Sequence, residues 1–429
     1  MQRTLTLTAV LVLLFATPLF AGGAAEEEAE NEEIQLNVLV GHWTVGSDDS
    51  PFEAAKAELE SRYPNVTVVF DVQQGGGNVK SKFLNSAAAN ESPDVAMVDS
   101  VALGEMVEAG LLEPIDEYVA EWDEYEDILP NFQEAGSWDG DTYSVFMNTD
   151  LRVLVWNKAL FEEAGLDPEV GPSDWDELLE FAEEVNDPPG VYGMMVPGGS
   201  SEHTPNRWYS FLWGAGGSIV DNGRAAFNSD AGIEAGRFYQ ELIESGVTPE
   251  DVLSASADDN DRGVANGAYA MGVVGSWFFN YAREAGMDTP DAFNEAFGVS
   301  PIPGPDGGQS PASAGGWTVA IPSGSQHKDL AWEFISIAMN QENHRTWSLS
   351  RGYVPVRETL SQDSAFNESI PFFPVIEEAL PNANTRPAIP EYGQISSAVL
   401  TAIQSIMLGE AGVEEALDAA AEQVDAALR

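Results

Sequence analysis

Ile34, Leu36, Val38 and Val40 alternate as one face of a strand ending at Gly41-His42-Trp43, and a helix follows from about Pro51 with Phe52, Ala55 and Leu59 on one side. The pair then recurs. After a turn at Tyr63-Pro64, Val66, Val68, Phe70 and Val72 alternate again, and the glycine run 75–77 opens a helix carrying Val79, Phe83 and Leu84. Asp94 to Val98 forms a third strand, which delivers Asp99 and Ser100 at its carboxyl end. Strands alternating with helices imply an α/β layer around a parallel sheet, because parallel neighbours need a crossover long enough to hold a helix. One such layer does not use up the chain. Its 429 residues exceed what a single core serves, and with 44% hydrophobic residues it can bury two.

The second half carries more elements of the same size. An apolar strand, Arg152 to Trp156, runs into Asn157-Lys158 and a short helix ending at Gly165. A further helix opens at Ser173 with Asp176 three places on, a capping-box arrangement. Asp221-Asn222-Gly223 reads as a hairpin turn. Helices are expected at 230–245 and 262–267, then strands at Ala268 to Val274, Phe297 to Pro303 and Trp317 to Ile321. A helix runs from about Asp329 to Asn340, and the C-terminus is helical, with one stripe of Val399, Ile403 and Ile406 and another of Val413, Leu417, Val424 and Leu428. The glycine run lacks both the GxxxxGK[ST] of a phosphate loop and the third glycine of a dinucleotide fingerprint, so it reads as a flexible loop at a cleft edge.

Charge narrows the partners. Against 71 acidic residues stand 18 basic ones, a net charge of -53, which argues against nucleic acid and against an anionic membrane surface. Such a surface fits a halophile, where salt screens the self-repulsion. Arg3, the apolar stretch Leu5 to Phe20 and the small residues Ala21, Gly22, Gly23 and Ala24 form a secretory signal, expected at 1–23 and cut between about Ala21 and Ala25, with an acidic tether at 24–33. The chain has no cysteine, which excludes disulfides, thiolate metal sites and a lipid-modified N-terminal cysteine. A periplasmic or secreted monomer without a lipid anchor is the expectation.

The run from Tyr143 to Val185, YSVFMNTDLRVLVWNKALFEEAGLDPEVGPSDWDELLEFAEEV, is the most informative stretch. It resembles the extracellular solute-binding proteins of ABC sugar importers, the maltose-binding-like group, with Trp156 where a tyrosine is usual and Ser173-Asp174 in place of a threonine. The similarity extends from about residue 34 to the C-terminus through SPDVAMVD, GAYAMGVVGSW, FGVSPIPGPDGG, GGWTVAIPSGSQHKDLAWEFI and VEEALDAAAEQV, in the family's order. The resemblance implies a two-lobed periplasmic-binding-protein fold of type II, each lobe a central β-sheet flanked by helices, with the ligand cleft between the lobes. It implies one lobe from 34–146 plus 301–341 and another from 147–300 plus 342–429, with hinges near Met147-Asn148, Pro301 and Gln341. It further implies capture of a mono- or oligosaccharide by hinge closure and delivery to the permease subunits of an ABC transporter, with no cofactor and no catalysis.

Ligands of open α/β sheets bind outside the carboxyl ends of strands. That rule selects His42 and Trp43, Asp99 and Ser100, Asn148 to Asp150, Trp277, and Gly315, Gly316 and Trp317, and it adds Trp208 and Trp213 in a loop-rich stretch before Gly214. Indole faces suit sugar C–H surfaces, and hydroxyls need directed donors and acceptors. Each residue also has a plainer reading: the tryptophans as core or lobe lining, Asp99 as a helix cap, His42 as a satisfied loop residue. The family uses the counterpart of Trp277 as a stacking platform. Arg351, in SRGYVPV, resembles a stretch that borders the family's cleft, although surface ion pairing explains it too. Ile395-Ser396-Ser397 occupies the region where the family often places an aromatic in its penultimate helix, and Tyr392 lies just before it. These positions are rich in aromatics and poor in Lys and Arg, so a neutral sugar is expected over a phosphorylated one.

Enzyme readings find little support. The histidines at 42, 203, 327 and 344 form no HExxH or i, i+4 pair, so no metal site is expected, and no G-x-S-x-G occurs. A glycoside-active enzyme needs two flanking carboxylates, and among 71 acidic residues none stands out as a pair. A binding protein for a non-sugar solute, such as a glycerol phosphodiester or a polyamine, is the other alternative.

Overall fold

The computed structural model describes residues 33–255 and 257–429. The expected signal segment and all but the last residue of the acidic tether lie outside them. The strands Ile34–Gly41, Val66–Gln73 and Val95–Asp99 form as their alternation predicts, the first pairing in parallel with each of the others. Ser50 caps the Pro51–Arg62 helix by accepting from the Glu53 amide at 3.1 Å, and Phe52, Ala55 and Leu59 bury the face that meets the sheet.

Two strands tie the molecule together. Ser144–Asn157 is 14 residues long and buried along nearly its whole length. Its first half pairs antiparallel with Ser313–Ala320, which in turn pairs antiparallel with Val95–Asp99. Its second half pairs antiparallel with Tyr269–Gly275 and Phe297–Ser300. One strand path therefore runs through two layers, and each layer has its own core. Leu36, Val68, Phe83, Val98, Met147, Ile321 and Phe334 belong to the first, and Leu151, Val155, Phe211, Tyr239, Val274, Ile403 and Leu417 to the second. Ile302, Ala312 and Ala314 pack in the second core, while Trp347 and Tyr353 pack in the first.

The three passages between layers meet at Thr149. Its backbone pairs with Gly316 on one side and with Val354 on the other, and its hydroxyl donates to the Gly315 carbonyl at 2.7 Å. Beside it the register slips, Trp317 facing Asn148 while Thr318 faces Phe146, so Met147 is the extra residue of a bulge.

Other local expectations shift by a few residues. The capping arrangement expected at Ser173 sits one place later: Asp174 caps Trp175–Glu184 by accepting from the Glu177 amide at 2.8 Å, and the Glu177 carboxylate accepts from both the amide and the hydroxyl of Ser173. An aspartate reaches the N3 amide as well as a serine does, and an acidic first turn favours it. The helix expected at 262–267 spans Ala257–Ala265, and the strand expected at Trp317 begins at Ser313. Gln341–Arg351 and the short helices between Glu358 and Ala379 had no sequence counterpart. The Asp221-Asn222-Gly223 hairpin is present, with φ positive at both Asn222 and Gly223. Among the described residues no helix is long and apolar enough to cross a membrane.

Candidate functional site

The positions expected at strand ends converge where the two layers face each other, although Asn148 to Asp150 and Gly315 to Trp317 lie within the long strands Ser144–Asn157 and Ser313–Ala320 and not past their ends. Trp43, in the turn after the first strand, lies 5.2 Å from Trp317 between ring centroids. Gly76 backs directly onto the Trp317 indole, so close approach requires glycine at that one position of the run, and Gly75, with φ of 81°, precedes the Gly76–Ala88 helix. Gly316 likewise lies against the Asn148 carbonyl, with no space for a side chain.

Trp277 spans the gap. It follows Gly275 at the end of a second-layer strand, yet its ring packs against the first core. Its Nε1 donates to Asp261 Oδ2 at 3.0 Å, the Arg152 guanidinium lies 4.7 Å from the ring, and His203 meets it edge-on at 5.8 Å. From Trp277 a belt of charged groups continues in both directions. Arg207 Nη2 donates to Asp261 Oδ1 at 2.5 Å, with both side chains essentially inaccessible. Arg152 pairs with Asp150. Arg386 reaches Glu202 at 2.8 Å and, across the gap, Asp99 at 3.4 Å. Glu202 also accepts from the hydroxyls of Tyr392 and Ser396.

The electrostatics follow from this crowding. Burial, opposed by Arg386, raises the Asp99 carboxyl above its usual range, and burial, opposed by Arg207 and Trp277, does the same to Asp261. Burial lowers Arg152 despite its Asp150 partner. Burial would lower Arg386 as well, but Asp99, Tyr392 and Glu202 together hold it well above the usual arginine value. His203 is held well below the usual imidazole range by burial and by Arg207, Arg152 and Arg386, which keeps it neutral. Several polar atoms in this belt are buried without a protein partner: Arg152 Nε, Arg207 Nε and Nη1, Arg386 Nε, His203 Nδ1 and Asn148 Nδ2. Buried donors of this kind require a partner, either a solute or water.

The positions selected from sequence divide accordingly. Trp43, Asp99, Asn148, Asp150, Trp277, Gly316 and Trp317 lie together, with Ser100 starting the turn capped by Asp99. His42 stands at the rim, its Nε2 3.9 Å from Asp258 Oδ2. Arg351 also bridges the rim, donating to Ser47 Oγ at 2.7 Å and lying 3.5 Å from Asp49 Oδ1. Trp208 and Trp213 lie inside the second core, Trp208 with no accessible surface and Trp213 tilted on Tyr209. Beside these positions, expected to be poor in Lys and Arg, the structure places Arg152, the inaccessible Arg207 and Arg386, with Arg351 at the rim. Sequence reasoning missed them, together with Glu202, His203 and Asp261. A signal did exist for two. Arg152 is the lone basic residue in a largely apolar strand, and Arg207 the lone charge in a helix whose residues 204–213 are all buried.

A family model described as bacterial extracellular solute-binding protein matches residues 43–344. The chain belongs to that family. A solute-binding protein of an ABC transporter from Thermotoga lettingae, bound with α-D-tagatose, is similar in structure, with a TM-score of 0.82, 30% identity, and coverage of 92% of this chain and 100% of that one. A maltose-bound T. maritima protein shares the fold at a TM-score of 0.79 and 23% identity, over 91% of this chain and 99% of that one. In sequence, a maltotriose-binding protein of Pyrococcus abyssi is 25% identical over 380 residues, 86% of this chain and 77% of the relative. The two-layered arrangement is thus the two-lobed fold of this family, with the charged belt and its tryptophans in the cleft between the lobes. The family is one of binding proteins.

Proposed function

We propose that this solute-binding protein captures a carbohydrate between its lobes and passes it unaltered to the permease of an ABC transporter. The observation that carries this reading is the mixture at the cleft: the indoles of Trp43, Trp277 and Trp317 beside buried guanidinium, imidazole and amide groups whose donors lack protein partners. Rings pack on sugar C–H faces while hydroxyls take up the free donors and the carboxylates. The tagatose-bound and maltotriose-binding relatives support the same ligand class. Three arginines do not make the cleft cationic, because Asp99, Asp150, Glu202 and Asp261 answer them.

The lobes close around the joint at Thr149, so we place the crossings at 148–150, 315–317 and 353–354, where core membership changes. Ligand shifts the open–closed balance only by its preference for the form in which both lobes touch it. The protein acts as a monomer in the periplasm, its signal removed, and does no chemistry on the ligand. A thermal-shift screen of mono- and oligosaccharides at high salt tests this. A saccharide that raises the melting temperature and is recovered intact fits the proposal. Turnover of chromogenic glycosides, or no response to any carbohydrate, defeats it.

A further inference from the structure

We infer that the cleft takes one neutral sugar ring, or an open-chain polyol of that size, and excludes linked sugars, because contacts between the lobes close both of its flanks. The inference rests on the carbohydrate reading above.

One flank is the loop after the first strand. There His42 faces Asp258 across the gap, while Arg351, which precedes the crossing at 353–354, holds Ser47 and Asp49 within the first lobe. Arg351 is itself fastened to the second lobe: Asn280 Nδ2 donates to its carbonyl at 2.8 Å, and Arg283 Nη1 donates to the neighbouring Ser350 carbonyl at 2.8 Å. The Asp49 carboxyl lies below its usual range, since hydrogen bonds from Ser350 and Ser47 and the charge of Arg351 outweigh its burial.

The other flank lies past the third strand. Arg386 of the second lobe reaches Asp99 of the first. Beside it the backbone at Gly393 approaches the Lys80–Glu105 ion pair so closely that a Cβ there would lie 3.4 Å from both charged atoms. The tryptophans at 43, 277 and 317 sit between these flanks. A glycosidic chain that leaves through either flank parts these contacts between the lobes and forces them open.

Charge selects further. The guanidiniums of Arg152, Arg207 and Arg386 each keep an unpartnered N–H, which suits a hydroxyl, but four carboxylates already neutralise them. A phosphate or carboxylate on the ligand meets those carboxylates as like charges. A neutral polyol gives donors to the carboxylates and accepts from the guanidiniums at once.

Calorimetry on the full chain settles the matter, using D-tagatose, D-fructose, D-glucose and ribitol against maltose, maltotriose and glucose 6-phosphate. The expected result is micromolar binding of at least one single-ring sugar or polyol, with maltose and maltotriose weaker by about 100-fold or more. Asn280→Ala, which removes the bond from the second lobe to the Arg351 carbonyl and is checked for folding by circular dichroism, narrows that ratio. Maltose or maltotriose binding as tightly as any monosaccharide overturns the size limit, and glucose 6-phosphate binding tighter than glucose overturns the charge limit. An unchanged ratio in the variant overturns the role given to that flank. Silence from every saccharide is a different outcome, for it overturns the carbohydrate reading itself.

Discussion

Replacing Trp277 separates the two jobs the structure gives this ring. Inside the protein its Nε1 donates to Asp261 at 3.0 Å and its face receives Arg152 at 4.7 Å. A hydrogen bond to a charged group contributes about 1.5–3 kcal/mol and a desolvated cation–π contact about 2 kcal/mol. Trp277→Ala therefore lowers folding stability by about 2–4 kcal/mol, since water entering the space recovers part of the loss. Toward the ligand the ring offers one face, about 100 Å² of the area an indole buries, which at about 25 cal/mol per Å² is roughly 2.5 kcal/mol. Adding about 0.5–1.5 kcal/mol for stacking brings the loss of affinity to about 3–4 kcal/mol, or more than 100-fold. Trp277→Phe keeps most of the face and loses the N–H, so its affinity falls only about fivefold while its stability drops by about 1–2 kcal/mol. Calorimetry with D-tagatose, or whichever sugar the screen selects, reads the first quantity. Urea unfolding followed by circular dichroism reads the second, free of the lost tryptophan fluorescence. Unchanged affinity in the alanine variant removes Trp277 from the site. Equal losses in the two variants show that the Asp261 bond, and not the ring face, supports binding.

Acid weakens the fold through two buried histidines. His203 is held well below the usual imidazole range, and burial with Arg357 nearby pushes His344 down to about 3, so both bind a proton only on unfolding. Their contribution is full above the unfolded value of about 6.5 and is lost as pH falls, by about 1.4 kcal/mol each at pH 5.5. The raised Asp99 and Asp261 act in the opposite sense, costing stability at high pH and relieving it as they protonate, so the comparison must be between proteins that share them. His344→Gln loses about half as much stability as the parent between pH 7.5 and 5.5 in urea titrations, and identical losses contradict the assignment. The net charge of -53 predicts a melting temperature that climbs from low to molar salt, as the Debye length shrinks from about 10 Å at 0.1 M to about 3 Å at 1 M. A flat response would falsify the halophile reading. Gly316→Ala drives a methyl group into the Asn148 carbonyl at the joint between the lobes, and overpacking there costs about 1–3 kcal/mol in thermal unfolding. A stability equal to the parent's shows that the joint yields.

What was legible in the sequence divides by the range of the forces involved. Strands such as Ile34–Gly41 and helices such as Pro51–Arg62 announce themselves because period-two and period-3.6 patterns are written by neighbours in the chain. Residues just past strand ends were also legible, since parallel topology places them on one side of the sheet. Trp43 and Trp317, 274 positions apart by their numbers, meet as expected, but Trp317 does so from within the antiparallel strand Ser313–Ala320 and not from a strand end. The charged belt was not legible. Asp261 and Glu202 are two among 71 acidic residues, and nothing local marks one carboxylate as buried while its neighbours are solvated. Their role exists only because the fold brings Arg207 and Arg386 to them, and a desolvated pair of that kind is stable only when complete. The arginines are the better clue. A chain this acidic has little need of a cation inside an apolar strand, so Arg152 amid Leu151, Val153, Leu154 and Val155 implies a buried partner, and Asp150 is that partner. Trp208 and Trp213 show the ambiguity, for both sit in the second core while Trp208 Nε1 is buried without a protein partner. Aromatic identity alone does not distinguish a ring that stacks on ligand from one that fills a core, whereas Trp277 is distinguished by Asp261 on its N–H and Arg152 on its face.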